Sequence, residues 1–332
     1  MAQLYPLKFE PVLKSRPWGG NNLSLRFGKT AGENEKTGES WEISGLEGDE
    51  SVIANGFLAG NNITEIIEVY MGDVLGERVY DVFGDEFPLL VKLIDAAETL
   101  SVQVHPGNEM AARLHNAYGK TEMWYIIEAK PDSKIYCGFM KGVKKEHYLE
   151  AVEHGTLHKI LNEVPVKKDD LFFIPAGMVH AIGEGVVLAE IQQSSDVTYR
   201  IYDWNRPDAY GISRELHTEL AAEAIKFDID GGKVDYPDPG KNRTIQLVRS
   251  PYFVTSLLNF DTFVTKNYNL LDSFVILLCT EGKYRIHWEN GSDNVAAGET
   301  ILIPATAGEI VLEPLPGACL LEIYMNNGKA TE

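Results

Sequence analysis

An internal repeat constrains the fold of this chain more than any other feature of the sequence. Residues 169–182 read DDLFFIPAGMVHAI, and residues 298–311 read GETILIPATAGEIV. With Pro175 aligned to Pro304, both segments contain an acidic turn, a Phe/Ile/Leu strand, Ile-Pro-Ala, a tight turn and a second strand. The sequence therefore predicts one hairpin used twice, with two unrelated hairpins of similar turn chemistry as the alternative. This alignment sets His180 against Glu309, so only one copy carries a histidine there.

Most of the chain reads as short strands rich in Val, Ile, Phe and Tyr, separated by Gly, Pro, Asn and Asp. This pattern is typical of sandwiches and barrels. A length of 332 residues with 44% hydrophobic residues is enough to bury two cores. We expect a mainly β protein with few helices, and the best helical patterns cover 64–79, 109–117, 145–161 and 213–227. The expected division is an N-terminal metal-binding unit over 1–227, a Gly/Pro/Asp-rich linker over 228–243, and a smaller second unit without a metal site over 244–327.

Charge and cysteine content exclude several classes of protein. The formal net charge of −19 repels nucleic-acid phosphate and acidic membranes. The chain has no signal-peptide pattern at its start and no apolar run of the roughly 18 residues that a membrane span requires. Its cysteines are three in number and lack metal-type spacing, which favours reduced thiols. We therefore expect a soluble, cytoplasmic protein with a small-molecule partner and leave its oligomeric state open.

Two segments carry residues that can bind a metal ion. Residues 100–106 read LSVQVHP, an alternating strand in which Ser101, Gln103 and His105 share one face. A lone histidine on a strand is more often structural. Pro175 and the residues up to His180 form the segment P-x-G-x-x-H. Cupin barrels place a metal ligand at that spacing, beside a pair of ligands spaced like Gln103 and His105. This second segment favours metal binding over a structural role for His105.

A third segment, GKTEMWYII over residues 119–127, supplies a carboxylate. Glu122 opens an otherwise apolar strand, and a buried carboxylate requires a partner or a cation. A surface position at the strand start is the alternative. Taken together, the nitrogen and oxygen donors of these segments suit Zn²⁺ with an open coordination position. The candidate metal ligands are Gln103, His105, Glu122 and His180.

These motifs in combination resemble the type I mannose-6-phosphate isomerases of the cupin superfamily, in their short bacterial branch. The resemblance rests on SVQVHP, the pair Lys120-x-Glu122, PAGMVHAI, the run EIQQSSDVTYRIYDW over 190–204 and an early PWGG over 17–20. It covers about residues 5–325. It implies two cupin (jelly-roll) barrels, one Zn²⁺ per chain bound by the four candidate ligands, and an essential arginine at Arg200.

The activity that this resemblance implies is the interconversion of mannose 6-phosphate and fructose 6-phosphate through a cis-enediol. Such a reaction needs proton transfer and stabilisation of enediolate charge. Lys120 and Glu190 are both candidates for proton transfer, and the sequence does not decide between them. Arg200 can stabilise charge or grip phosphate, with a salt bridge to Asp196 or Asp203 as the structural alternative. The predicted substrate contacts are Trp18, Lys92 and Ser101.

Two other functions fit a cupin fold. A cupin dioxygenase uses iron and typically three histidines with one carboxylate, and Gln103 in place of a histidine argues against it. A regulatory cupin would bind a sugar phosphate without turnover, with its second barrel as an interaction module. No pair of helices typical of DNA binding is recognisable in this acidic sequence.

Overall fold

The computed structural model describes residues 3–32, 36–207, 212–229 and 231–326. Residue 230 of the expected linker and residue 327 of the expected second unit lie outside these ranges. Strands dominate the described chain, so the expected mainly β class is confirmed. No helix in these ranges is both long enough and apolar enough to cross a membrane.

The chain forms strands throughout its length and short helices chiefly in its first two thirds. The strands are β1 (Leu7–Glu10), β2 (Val12–Gly20), β3 (Thr37–Ile43), β4 (Val52–Ile53), β5 (Leu89–Ala96), β6 (Val102–Val104), β7 (Glu122–Ala129), β8 (Lys134–Phe139), β9 (Leu161–Pro165), β10 (Leu171–Ile174), β11 (His180–Ile182), β12 (Val186–Gln193), β13 (Tyr199–Tyr202), β14 (Gly232–Val234), β15 (Arg243–Arg249), β16 (Phe253–Phe260), β17 (Val264–Asn267), β18 (Val275–Trp288), β19 (Gly291–Ala296), β20 (Thr300–Ile303) and β21 (Glu309–Met325). The helices are α1 (Asn22–Phe27), α2 (Ile63–Tyr70), α3 (Gly72–Leu75), α4 (Glu77–Phe83), α5 (Asn108–His115), α6 (Lys145–Glu153) and α7 (Thr218–Ala224), with 3₁₀ turns at Gly56–Leu58 and Leu157–Lys159.

Three sheets organise these strands. A seven-stranded sheet has the order β14-β10-β7-β12-β5-β2-β3, and a five-stranded sheet has the order β13-β6-β11-β8-β9. A nine-stranded sheet follows β15-β16-β21-β18-β20-β1-β4, with β17 on β21 and β19 on β18. The segment expected as a linker contributes β14 to the seven-stranded sheet, and β1 joins the sheet built mainly by the second half.

The order of strands is repeated between the two large sheets. The run β10-β7-β12-β5 of one sheet corresponds to β20-β18-β21-β16 of the other. The register agrees as well, because Glu122 lies opposite Ile174 in the first and Val275 lies opposite Ile303 in the second. Similarity between the halves thus extends beyond the hairpin that the sequence repeats.

The second hairpin of the repeat buries a different side chain from the first. β11 begins at His180, five residues after Pro175, and β21 begins at Glu309, five residues after Pro304. His180 is buried, whereas Glu309 is exposed and the next residue, Ile310, is buried and pairs with Lys266 of β17. Because side chains alternate along a strand, Glu309 and Ile310 lie on opposite faces.

Three of the expected helices are shorter than the sequence pattern. The pattern over 145–161 is divided into α6 and the 3₁₀ turn at Leu157–Lys159. The pattern over 64–79 is divided into α2, α3 and α4, because the backbone turns at Met71, with φ of 47°, and at Gly76, with φ of 91°. Gly76 also touches a neighbouring backbone, since a Cβ there would lie 2.6 Å from the carbonyl carbon of Asp272. The pattern over 213–227 becomes a helix only from Thr218 onward.

The seven-stranded and five-stranded sheets face each other across an apolar cluster. Its members come from both sheets and include Ile94, Trp124, Ile126, Ile135 and Ile182. The strand ends beside this cluster carry buried polar side chains instead of apolar ones. The space between these two sheets is therefore apolar at one end and polar at the other, and the candidate site lies at the polar end.

Candidate metal centre

Three of the predicted ligands meet between the two facing sheets. His180 begins β11 and His105 directly follows β6, both in the five-stranded sheet, while Glu122 begins β7 of the seven-stranded sheet. One donor atom from each side chain lies within 4.8 Å of the others. The exposed fractions of His105, Glu122 and His180 are 1%, 0% and 0%, so water does not satisfy these groups.

Three donor atoms of this group lack a hydrogen-bond partner in the described chain. Both carboxylate oxygens of Glu122 and Nε2 of His180 are buried without a hydrogen-bond partner among the described residues. His180 Nε2 lies 3.4 Å from Glu122 Oε1, and His105 Nε2 lies 3.6 Å from Glu122 Oε2. A buried polar group left unpaired costs about 1–3 kcal/mol. Several such atoms converging on one point fit a metal cation, which would bind all of them together.

The backbone fixes the orientation of both histidines. Nδ1 of His105 lies 2.9 Å from the carbonyl oxygen of Val197, and Nδ1 of His180 lies 2.8 Å from that of Met178. A carbonyl oxygen only accepts hydrogen bonds, so each Nδ1 carries the proton and donates it. The lone pair of each Nε2 is then directed at Glu122, as metal ligation requires.

The pKa values of these groups agree with metal binding. Burial lowers the pKa of His180 to about 4. Burial, together with the charge of Lys120, also holds the pKa of His105 well below its ordinary value. Both imidazoles are therefore neutral at pH 7 and free to donate lone pairs. Burial and the charge of Glu190 raise the pKa of Glu122 to about 7, since the site lacks sufficient positive charge to hold this carboxylate ionised.

Gln103 and Arg200 share a row with His180 in the five-stranded sheet. Gln103 of β6 lies between His180 of β11 and Arg200 of β13 in the strand register. Side chains at directly opposed positions point to the same face of a sheet. Gln103 is therefore placed next to the histidine that it is predicted to join as a ligand, and Arg200 is the next residue along the row.

Lys120 lies closer to the three buried ligands than the sequence could indicate. Its Nζ is 3.2 Å from Glu122 Oε2 and 3.3 Å from His105 Nε2. Burial alone would lower the pKa of Lys120, but the charges of Glu122 and Glu190 outweigh burial and raise it. The side chain is thus a charged ammonium group in direct contact with this cluster.

Lys92 and Glu190 form a second buried ion pair on the neighbouring strands β5 and β12. Lys92 Nζ lies 3.1 Å from Glu190 Oε1, and Trp124 Nε1 donates to Glu190 Oε2 at 2.8 Å. Burial would raise the pKa of Glu190, but Lys92 and Lys120 outweigh it and lower the pKa to about 2. Glu190 is therefore a fixed carboxylate at any ordinary pH.

The remaining predicted residues lie further along these strands. Trp18 is part of the apolar cluster with Ile94 and Ile126. Ser101 is buried two residues before Gln103, on the same face of its strand. The guanidinium of Arg200 donates from Nη1 to the carbonyl oxygen of Glu215 at 3.0 Å.

Asp203, one of the proposed partners of Arg200, is occupied by other arginines. Arg214 donates to both of its oxygens, at 2.7 and 2.6 Å, and Arg206 donates to Oδ1 at 2.8 Å. Nε of Arg200 is buried without a hydrogen-bond partner in the described chain. The charge of Arg200 is thus held by a carbonyl group and remains available to a ligand.

Several polar residues of the site were not singled out from the sequence. Trp124 and Gln192 lie two residues from Glu122 and Glu190 on the same strand faces, so alternation alone could have identified them. The Gln192 side chain accepts from Lys92 at 2.7 Å. Glu39, which binds Arg16 Nη2 at 3.0 Å and Trp41 Nε1 at 2.8 Å, had no comparable signal in the sequence.

Comparisons with known proteins agree with this geometry. Residues 6–129 match the family model described as phosphomannose isomerase type I, catalytic domain. The mannose-6-phosphate isomerase ManA of Bacillus subtilis is 36% identical over 318 residues, which cover 93% of this chain and 96% of the relative. The mannose-6-phosphate isomerase of Streptococcus mutans is 33% identical over 307 residues, covering 91% and 93%. The crystal structure of the B. subtilis mannose 6-phosphate isomerase superposes with a TM-score of 0.86 at 30% identity, over 97% of this chain and 99% of that one.

Proposed function

The chain belongs to the type I phosphomannose isomerases, and on this basis we propose that it interconverts mannose 6-phosphate and fructose 6-phosphate with one bound Zn²⁺. The observation that carries the metal assignment is the convergence of unpartnered donor atoms from His180 and Glu122 beside His105. Two neutral imidazoles and a carboxylate suit Zn²⁺, and Gln103 supplies a fourth donor. This set leaves the site with a charge of about +1, which attracts an anionic substrate.

The isomerisation moves one proton between neighbouring carbons. In the direction from mannose 6-phosphate, the C2–H bond breaks, its electron pair forms the C1–C2 double bond, and O1 gains a proton. The product of this step is the cis-enediol. In the second step O2 loses its proton, the carbonyl forms at C2, and C1 gains a proton. Each step requires a group that exchanges protons with carbon and a positive charge beside the oxygens.

We assign the proton exchange to Lys120 in preference to Glu190. A carboxylate with a pKa near 2 is a weak base, because effective proton transfer needs a pKa close to the working pH. Both oxygens of Glu190 are also held, one by Lys92 and one by Trp124. When bound, the divalent cation would polarise the sugar oxygens and, as a like charge, would oppose the carboxylates that raise the pKa of Lys120.

We assign roles to the other residues of the site from their charge and their position. Glu190 orients Lys92, and its charge raises the pKa of Lys120. Arg200 lies on the row of Gln103 and stabilises the charge of the enediolate. Lys92, Lys120 and Arg200 together supply the local positive charge that an anionic substrate needs in a chain of net charge −19. Trp18 and Ser101 remain predicted substrate contacts.

We further propose that the chain is a duplicated cupin of which only the first copy, within residues 1–227, binds metal. The corresponding strand order of the two large sheets supports this proposal. In the second copy, within residues 244–327, Val275 stands at the position of Glu122, and Ile310 is the first buried residue of the strand that corresponds to β11. Neither side chain can bind a cation. The three cysteines are free, which supports the cytoplasm as the compartment.

An assay coupled to fructose 6-phosphate tests the proposed activity. Purified protein is given mannose 6-phosphate before and after treatment with a chelator, and Zn²⁺ is then added back. We expect turnover that chelation abolishes and Zn²⁺ restores. Binding of mannose 6-phosphate without turnover in zinc-loaded protein would reject the isomerase assignment, and turnover that survives complete metal removal would reject the role of the metal.

A further inference from the structure

Arg200 lies on an exposed strand edge. Its strand, β13, is the outermost strand of the five-stranded sheet and pairs only with β6 within the described ranges. On an edge strand, alternate backbone N–H and C=O groups point away from the sheet and need other partners. The hydrogen-bond partners of the Arg200 backbone therefore determine how firmly that backbone is held in place.

His217 provides both of these partners. The backbone N–H of Arg200 donates to Nδ1 of His217 at 3.2 Å, and the backbone N–H of His217 donates to the carbonyl oxygen of Arg200 at 2.7 Å. The side chain and backbone of a single residue thus replace a neighbouring strand at this point. Because Nδ1 accepts a hydrogen bond, the imidazole is in its neutral form with the proton on Nε2.

The same segment also holds the end of the arginine side chain. The carbonyl oxygen of Glu215, two residues before His217, accepts from Nη1 of Arg200 at 3.0 Å. A carbonyl group orients the guanidinium without cancelling its charge, unlike a carboxylate. Segment 215–217 therefore fixes both the backbone and the guanidinium of Arg200.

His217 is itself anchored from two sides. It directly precedes α7, and its carbonyl oxygen accepts from the N–H of Ala221, which is completely buried in that helix. Its ring lies 6.3 Å from that of Tyr199, whose hydroxyl is 2.7 Å from Nε2 of His115. This packing restricts the ring to the orientation in which Nδ1 meets the backbone of Arg200.

We infer that His217 is a positioning residue for the reaction, and that it acts by holding Arg200 at the distance and angle needed beside Gln103 and the metal group. This inference rests on the proposed role of Arg200. Misplacing a charge-stabilising group lowers the rate more than it weakens substrate binding, because the charge that it stabilises develops in the transition state. The effect of losing His217 should thus appear in kcat.

The test compares His217→Ala with His217→Asn. Asparagine places an acceptor oxygen at the same distance along the side chain as Nδ1, so it preserves the hydrogen bond from Arg200. We expect His217→Ala to lower kcat by about 10-fold to 100-fold with little change in KM or zinc content. His217→Asn should recover most of the loss. His287→Ala, which changes a histidine paired with Glu313 in the nine-stranded sheet, serves as the control.

A double-mutant cycle separates positioning from general stabilisation. In an Arg200→Ala background, His217→Ala should lower the melting temperature but leave kcat unchanged, because the residue that it positions is gone. Equal loss of kcat in the alanine and asparagine variants, or a further loss in the Arg200→Ala background, overturns the inference. If Arg200→Ala alone left kcat unchanged, the proposed role of Arg200 would be rejected. That result differs from those that reject the positioning role of His217, so the two proposals are tested separately.

Discussion

The ammonium of Lys120 lies 3.3 Å from Nε2 of His105, the atom whose lone pair would bind the metal ion. This contact places a positive charge beside the metal position. The ammonium therefore repels an incoming cation, whereas the proposed mechanism uses the same side chain to exchange protons with the substrate. Metal binding and the proposed catalysis make opposite demands on Lys120.

The first prediction concerns Lys120→Met, which keeps the length of the side chain and removes its charge. We expect kcat to fall by about 10²-fold to 10⁴-fold, because the group that exchanges protons is lost. Zinc affinity should stay equal or increase, since the repulsive charge is gone. Calorimetric zinc titration and the coupled assay measure the two effects. Lys130→Met, at an exposed position, is the control, and weaker zinc binding by Lys120→Met would contradict this account.

The second prediction separates metal retention from rate among the ligands. His105→Ala and Glu122→Ala should lose both zinc and activity, because each removes a buried donor. Gln103→Glu should keep its zinc yet reduce kcat, since a second carboxylate cancels the net positive charge at the site. Elemental analysis and kinetics on the same preparations measure the zinc content and kcat of each variant. A Gln103→Glu enzyme as fast as its parent would show that a neutral ligand is unnecessary.

The third prediction concerns Arg200, whose guanidinium donates to a backbone carbonyl oxygen and to no carboxylate within the described ranges. Arg200→Ala should reduce kcat and kcat/KM together by about 10²-fold to 10³-fold, as expected for a group that acts in the transition state. Arg200→Lys should recover only part of the activity, because lysine lacks the planar fork. A rise in KM alone would indicate uniform phosphate binding. Arg243→Ala, at an exposed position, should match the parent.

The fourth prediction concerns acid stability through Asp203. Burial would raise the pKa of this carboxyl, but hydrogen bonds from Arg214 and Arg206 outweigh it and lower the pKa. Such a group stabilises the fold above its unfolded pKa of about 4, and the contribution disappears as the pH falls through the lower folded value. Asp203→Asn should therefore lose about 1–3 kcal/mol at pH 7 and converge with the parent in strong acid. Denaturation at several pH values measures this difference, with exposed Asp81→Asn as the control.

The fifth prediction is the metal content of the whole chain. One zinc per chain should be found in active enzyme, because in the proposed second copy the buried residues at the corresponding strand starts are Val275 and Ile310, which cannot bind a cation. Elemental analysis of carefully dialysed protein gives this ratio directly. Two tightly bound ions per chain, or fully active protein without any, would contradict the duplicated design with a single site.

The sequence indicates that His105, Glu122 and His180 come together because strand alternation fixes which residues share a face. Gln103 and His105 are separated by two positions, and Glu122 opens a strand whose next inward residue is Trp124. A strand has only two faces, so this spacing determines which side chains lie together. Contacts between different sheets cannot be read from such spacing. Nothing in the sequence indicates that Lys120 reaches His105 or that Trp124 binds Glu190.

Local patterns fail where tertiary hydrogen bonds compete with them. The sequence pattern over 213–227 favours a helix, but the helix starts only at Thr218. Glu215 and His217 lie outside it because they form hydrogen bonds with Arg200. The aligned repeat likewise does not show that Glu309 is exposed and Ile310 buried, whereas the aligned His180 is buried. Both differences depend on packing against residues distant in sequence, which short segments do not reveal.

The second half holds an ion pair beside Ile310. Lys266, which pairs with Ile310, contacts Glu322 Oε2 at 2.6 Å, and Tyr268 donates to the same oxygen at 2.7 Å. A lysine is synthesised with the chain and does not dissociate, so this cation is in place as soon as the second half folds. The Zn²⁺ proposed for the first half must instead be supplied after synthesis. Chains made without zinc would then gain activity when the metal is added, without new synthesis.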